Sequence, residues 1–238
     1  MAPLIPDSTT DARLAGLERF IESYLGPRRP EYGATEADVG SVAMPAPLQR
    51  FFRFAGRWPG HNPLTPYVNR FCIQDTLAGI VGKAYAPALR EMDGRVVFVW
   101  ENQGVWVAAT ERAGDDPPVW ISEDCSHREA RQVWRQLDNP LSHFLVSFAL
   151  QELLHGSHVV AVAPAALEVF QQAGMPVVPA WIRGEYAWDI DRPSYYLAGG
   201  RFLVRRALDE DNGDDWYACI DPAGAGVLKA LGLPSDIE

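Results

Sequence analysis

The sequence predicts an α+β protein, and three observations carry that prediction. Residues 96–121 hold three short apolar runs separated by turn-forming residues, the pattern of an antiparallel meander. The stretch after Pro140 places Leu141, Phe144, Leu145, Val146, Phe148, Ala149, Leu150, Leu153 and Leu154 in one helix-length segment. It is apolar nearly all round, as a buried helix is. Asn212-Gly213 then lies between two further strand-like runs, the strongest short hairpin signal a sequence offers.

The remaining elements follow in chain order. Leu14, Leu17, Ile21, Tyr24 and Leu25 recur at helical spacing, Ser8, Thr9 and Thr10 offer N-caps, and Gly26-Pro27 ends the helix. Arg28 to Gly33 reads as a linker, and Thr35 as the cap of a short helix over residues 36–39. Pro45 and Pro47 open a second helix whose apolar face is Leu48, Phe51, Phe52 and Ala55, with Gly56 as its stop. Residues 57–69 contain three prolines and read as a loop, followed by a short strand at Arg70 to Ile73. The meander strands are Val96 to Trp100, Val105 to Thr110 and Val119 to Ile121. Residues 128–155 read as helical, interrupted at Asn139-Pro140. His158 to Val162 reads as a strand, Pro164 to Ala173 as a helix, and the stretch after Pro176 as irregular. Strands at Tyr195 to Leu197, Arg201 to Leu208 and Trp216 to Ile220 precede a closing helix at Pro222 to Leu231.

Composition narrows the function classes. With 238 residues, 47% hydrophobic and 22% charged, the chain can bury a full core as one large domain or two intimate halves. The formal charge of -10 argues against nucleic acid or an anionic membrane as partner, because both require a positive footprint. Cys72, Cys125 and Cys219 are odd in number and far apart, which predicts a reducing, cytoplasmic setting and no disulfide framework. The N-terminus lacks the basic and apolar regions of a signal peptide, and no apolar run approaches the ~20 residues of a membrane span.

No motif points to a metal, a cofactor or catalysis. The acidic hairpin holds Asp209, Glu210, Asp211, Asp214 and Asp215, but as a calcium loop it fails, with Ile220 where the final Glu belongs. It reads as a solvated turn or as an electrostatic docking patch. Glu152, His155 and His158 stand three residues apart, yet a helix end and no second ligand set make them a helix terminus rather than a metal site. Asp124-Cys125-Ser126-His127 reads as a helix cap, since thiol–imidazole catalytic pairs come from distant segments. Gly79 to Ala84 resembles a phosphate loop but is too short and lacks Ser or Thr after Lys83. Of the eight tryptophans, Trp106 and Trp120 stand out, because adjacent strands could bring both to one face as binding anchors.

One resemblance unites these segments. Met44-Pro45-Ala46-Pro47-Leu48-Gln49-Arg50-Phe51-Phe52-Arg53-Phe54-Ala55-Gly56 resembles the L-P-x-x-L-x-x-F-Y-x-x-x-G helix of the SUKH superfamily, which includes a yeast regulator of cell-wall synthesis. Gln74-Asp75, Phe98 to Trp106, Asp115 to Trp120 and Leu141 to Leu145 look like its bacterial branch. Met44 stands where the family usually has Leu, and Ala108 where an aromatic often follows. The resemblance covers residues 10–155, with residues 156–238 matching only in order of elements. It implies a single SUKH-like domain over 1–238: a curved mixed, largely antiparallel sheet packed by helices. It implies no catalysis and no cofactor, and a groove lined by Asp75, Glu101, Gln103 and Trp106. Many bacterial members look like immunity proteins that bind and neutralise toxin domains, often nucleases. The expected function is therefore stoichiometric protein binding of that kind, with Trp120 and the acidic hairpin as further contact candidates. An adaptor of the same fold and an enzyme with an unrecognised site are the alternatives.

Overall fold

A computed structural model describes residues 1–35, 43–58, 91–100, 106–123, 133–185, 192–207 and 214–236. The chain is α+β, and it divides into two compact units. Residues 28–145 form one, here called the inserted unit. Residues 1–27 and 146–238 form the other, the discontinuous unit. Among the described residues the strands fall into two five-stranded antiparallel sheets, where the resemblance implied one mixed sheet. The first helix therefore groups with the C-terminal third, not with the segments that follow it.

In the inserted unit, helix α2 (its predecessor α1 belongs to the other unit) spans Ala46–Ala55. Pro45 is its extended N-cap, Pro47 sits in the first turn, and Leu48, Phe51, Phe52 and Ala55 are buried, as their spacing predicts. The segment read as a linker is structured: Pro30–Tyr32 makes a 3-10 turn against the end of α2. Arg28 donates from Nε to the Phe54 carbonyl and from Nη2 to the Arg53 carbonyl, satisfying acceptors that the helix end leaves open. A Cβ on Gly33 would lie 1.9 Å from the Arg53 carbonyl oxygen, so only glycine fits there. The strands are β1 (Glu91–Met92), β2 (Arg95–Trp100), β3 (Val107–Thr110), β4 (Pro118–Ser122) and β5 (Arg135–Pro140), paired in sequence order.

Strand β5 corrects the sequence reading, which took residues 128–155 as helical up to the break at Pro140. Arg135, Gln136 and Asp138 are exposed, and Leu137 is the one buried residue of the strand. A single apolar residue among polar ones gives neither a strand nor a helix period, and pairing with β4 decides it.

Helix α3 (Leu141–His155) is the buried helix that the sequence predicts, with all nine of its named apolar residues at 0–1% exposure. Its start is tied down by the turn before β4: Asp116 accepts from Ser142 N at 2.8 Å and from Ser142 Oγ at 2.6 Å. The division between units falls inside this helix, after Leu145.

In the discontinuous unit, α1 (Thr10–Leu25) starts at Thr9, whose Oγ1 accepts from Ala12 N, and ends at Gly26 with φ +96°. After α3 come β6 (Val159–Pro164), α4 (Ala166–Gln172), β7 (Val177–Trp181), β8 (Ser194–Ala198), β9 (Phe202–Arg206), β10 (Asp214–Cys219) and α5 (Gly224–Ala230). The sheet order is β6-β10-β9-β8-β7. The Pro-interrupted stretch after Pro176 contains strand β7, which ends the sheet order, and at an edge a strand proline such as Pro179 is tolerated.

Both faces of this sheet are covered. Val162, Trp216, Arg205, Tyr195 and Trp181 stand in one cross-strand row. From that row Trp181 Nε1 donates to Ser147 Oγ, Tyr195 OH donates to Gln151 Oε1, and Trp216 meets the His155 ring edge-on, all on α3. On the other face Ala161, Val204 and Tyr217 pack with Phe170 of α4 and Leu228 of α5. Phe170 stacks on Phe202 at 5.0 Å and meets Tyr217 edge-on at 5.9 Å.

Candidate functional site

The register of the inserted sheet sorts its side chains. Val97, Ala109, Trp120 and Gln136 are directly opposite one another and so share a face. On that face Val97, Val107 and Ala109 are buried, with Met92 and Trp134 packed against them. Arg95, two residues before Val97, lays its guanidinium over the Trp120 ring at 4.1 Å and near the Trp134 ring at 5.4 Å. Trp134 Nε1 donates to Asp93 Oδ2 at 2.8 Å. Trp120, Trp134 and Arg95 are half-buried, Asp93 and Gln136 are exposed, and Val133 beside them is 77% exposed. Trp120 Nε1 is enclosed and has no hydrogen-bond partner among the described residues. The opposite face carries Val119, Ala108 and Ile121, and Phe98 meets Phe144 at the start of α3 edge-on at 5.7 Å.

Among the described residues, Trp120 is the only predicted contact residue that this cluster absorbs. Trp106 is buried at 3% exposure, and alternation from Ala108 carries it to the face opposite Trp120. The expectation that the two tryptophans share a face is therefore corrected: one residue of register separates them. Asp75, Glu101, Gln103, Asp209, Glu210 and Asp211 lie outside the described residues, as do the Asp124 to His127 segment and the Gly79 to Ala84 segment.

The acidic hairpin is divided by what is described of it. Asp214 is half-buried, but Asp215 is fully buried and does not belong to any surface patch. It accepts from Arg206 Nε and Nη2, both at 2.7 Å, and from Leu167 N at 2.8 Å in the first turn of α4. Arg206 also forks onto Glu168. Hydrogen bonds first to Asp215 and then to Glu168 hold the guanidinium protonated beyond its ordinary range. Hydrogen bonding to Arg206 lowers the Glu168 carboxyl. This arrangement is structural: it fastens α4 to the β9–β10 hairpin.

The His155 region holds no metal set; among the described residues no group of three His, Cys, Asp or Glu side chains could hold an ion. Gln151 accepts from Tyr195 OH through Oε1 and donates through Nε2 to His155 Nε2 at 2.7 Å, which makes His155 a neutral acceptor at that nitrogen. Burial first, and the Arg205 charge second, push its pKa below 6.5.

Sequence reasoning missed Arg95, Trp134 and Asp93. They are far from Trp120 in the chain, and only the pairing of β2, β3 and β4 brings Arg95 to it. No family model matches the sequence, and neither curated proteins nor solved structures provide a match. Among the described residues no helix is long and apolar enough to cross a membrane.

Proposed function

We propose that the chain is a SUKH-like, non-catalytic immunity or antitoxin-like protein of the cytoplasm, which neutralises a toxin domain by stoichiometric binding. The observation that carries the reading is the half-buried Arg95 guanidinium stacked on Trp120 and beside Trp134. Trp and Arg are the residues in which binding hot spots concentrate, and here Arg95 and Trp120 are pre-ordered on strands β2 and β4. The net charge of -10 suits a basic partner such as a nuclease domain, steering encounter at long range.

The test is recovery of the tagged chain from its native cells, followed by reconstitution with the recovered partner. The expected result is a one-to-one complex in which the partner's toxic activity is blocked, and in which Arg95→Gln weakens binding at least tenfold. A partner whose activity is untouched by a saturating amount of the chain refutes the neutralising function. Full neutralisation by both Arg95→Gln and Trp120→Ala refutes the assignment of the site.

A further inference from the structure

In a chain where 31 acidic residues outnumber 21 basic ones, arginines have carboxylates to spare. Arg13 pairs with Asp7, Arg201 with Asp221, and Arg206 with both Asp215 and Glu168. Arg95 differs. Among the described residues its guanidinium has no ion pair and no hydrogen bond, and its partners are the Trp120 and Trp134 rings.

The fold explains how this cation is held without a counter-ion. Asp93 and Gly94 have φ of +53° and +78°, so both central residues of the β1–β2 hairpin are left-handed, in the two-residue turn that pairs Met92 with Arg95. That turn sets Arg95 at the first position of β2. Val97, Ala109 and Trp120 stand directly opposite one another on β2, β3 and β4. Ala109, in the middle, is small enough for the Trp120 indole to lie across β3, with its centroid 4.1 Å from the Arg95 guanidinium carbon. Asp93 Oδ2 accepts from Trp134 Nε1 and so holds the second indole beside the same cation. The nearest carboxylate in the chain thus serves an indole rather than Arg95. A guanidinium in cation–π contact keeps its in-plane N–H groups for hydrogen bonding, in a fixed fork. Arg95 is half-buried, and Asp93 and Gln136 of the same cluster are exposed, so solvent reaches it.

We propose that Arg95 is a carboxylate-recognition residue that seats one Asp or Glu side chain of the protein partner; this deepens the binding function proposed above and rests on that reading. A carboxylate is planar and accepts two parallel N–H bonds from the guanidinium fork. A phosphate or a polyanion fits less well, because the exposed Asp93 carboxylate stands two residues away and the whole chain carries -10. One monoanion matches one cation that lacks a counter-ion. A basic partner then needs a single acidic residue in its contact surface. That residue sets register and specificity, while the overall charge sets the rate of encounter. Because the indoles hold the guanidinium before binding, less side-chain freedom is lost when the carboxylate arrives.

An NMR titration of the full chain, read through the indole N–H signals of Trp120 and Trp134, tests the proposal. The probes are the capped peptide acetyl-Gly-Asp-Gly-amide, its Asn counterpart and inorganic phosphate, all at constant ionic strength. The expected result is a saturable shift of both signals with the Asp peptide, at a dissociation constant of about 1–10 mM, as suits one forked ion pair on a small ligand. Replacing the peptide Asp by Asn, or Arg95→Gln in the chain, is expected to weaken binding at least about tenfold. Arg95→Lys, which keeps the charge but loses the fork, is expected to weaken it severalfold. The absence of a saturable shift up to about 50 mM overturns the proposal. So does equal binding of the Asn peptide, tighter binding of phosphate, or full binding by Arg95→Gln. A failed titration in a chain that still neutralises its recovered partner overturns carboxylate recognition alone. An Asp-specific shift in a chain whose recovered partner stays fully active refutes neutralisation and leaves carboxylate recognition standing.

Discussion

The two sheets have the same number of strands and use their side chains differently. In the discontinuous unit, helices cover both faces and the polar groups are spent on internal joints. Arg206 binds Asp215 and Glu168, Tyr217 OH donates to the Pro234 carbonyl, and Tyr195 reaches α3. Burial pushes the Tyr217 phenol up to about 12, a sign of how fully that face is enclosed. In the inserted unit, one face meets α3 through Phe98, while the other carries a cation between two indoles and an indole N–H without a partner. The difference is one of exposure: the discontinuous unit's sheet has helix contacts on both faces, while the inserted sheet keeps half-buried Arg95, Trp120 and Trp134 on one of its faces.

The strongest way to break this contrast is in the discontinuous unit's core. Phe170→Ala removes a ring that stacks on Phe202 and meets Tyr217 edge-on, and is expected to cost about 4 kcal/mol in urea unfolding. A loss of less than about 1 kcal/mol would show that this core collapses around the cavity. Asp215→Asn comes next, since it leaves Arg206 and the start of α4 short of their buried acceptor. A loss of about 3 kcal/mol is expected, against under about 1 kcal/mol for Glu168→Gln, whose side chain is 45% exposed. Equal effects of the two would mean that Asp215 is no more of an anchor than a surface pair.

On the inserted sheet the ordering should invert. Arg95→Gln is expected to change stability by no more than about 1 kcal/mol while lowering partner affinity at least tenfold, measured by calorimetry. The smallest effect concerns pH. His155 has a folded pKa below 6.5, so the unfolded chain binds more protons just beneath that value. Stability present above pH 6.5 is then lost as pH falls through the folded pKa. Urea midpoints should therefore decline on mild acidification, and His155→Gln should flatten that part of the profile.

Much of the fold was legible because it rests on local signals. Thr9, Gly26, Pro45, Pro47 and Gly56 bound their helices where cap chemistry puts them, and the apolar circumference of α3 declared its burial. What the sequence hid depends on pairing. The strand character of Arg135 to Pro140 is set by β4, and the partition into two sheets by which strands meet. The site was less legible still. Trp120 was visible as a tryptophan on a strand, but its Arg95 partner required the β2–β3–β4 register. Asp215 looked like its acidic neighbours in the hairpin. Counting outward from Asn212-Gly213 as a two-residue turn would bring Glu210 opposite Asp215, whereas the observed register brings Arg206 there, so this ion pair was not legible from the turn signal.

One more consequence follows from the way the chain threads its two units. Tyr24 on α1 donates to the carbonyl of Ala218, a residue 194 positions later. On the ribosome, α1 emerges before the strands of its own unit, so its buried Leu14, Leu17, Phe20 and Ile21 cannot be covered by those strands until they emerge. The whole inserted unit is synthesised in that interval. The nascent helix is thus a natural client for a holdase, and slow translation after residue 145 would lengthen the time that it spends uncovered.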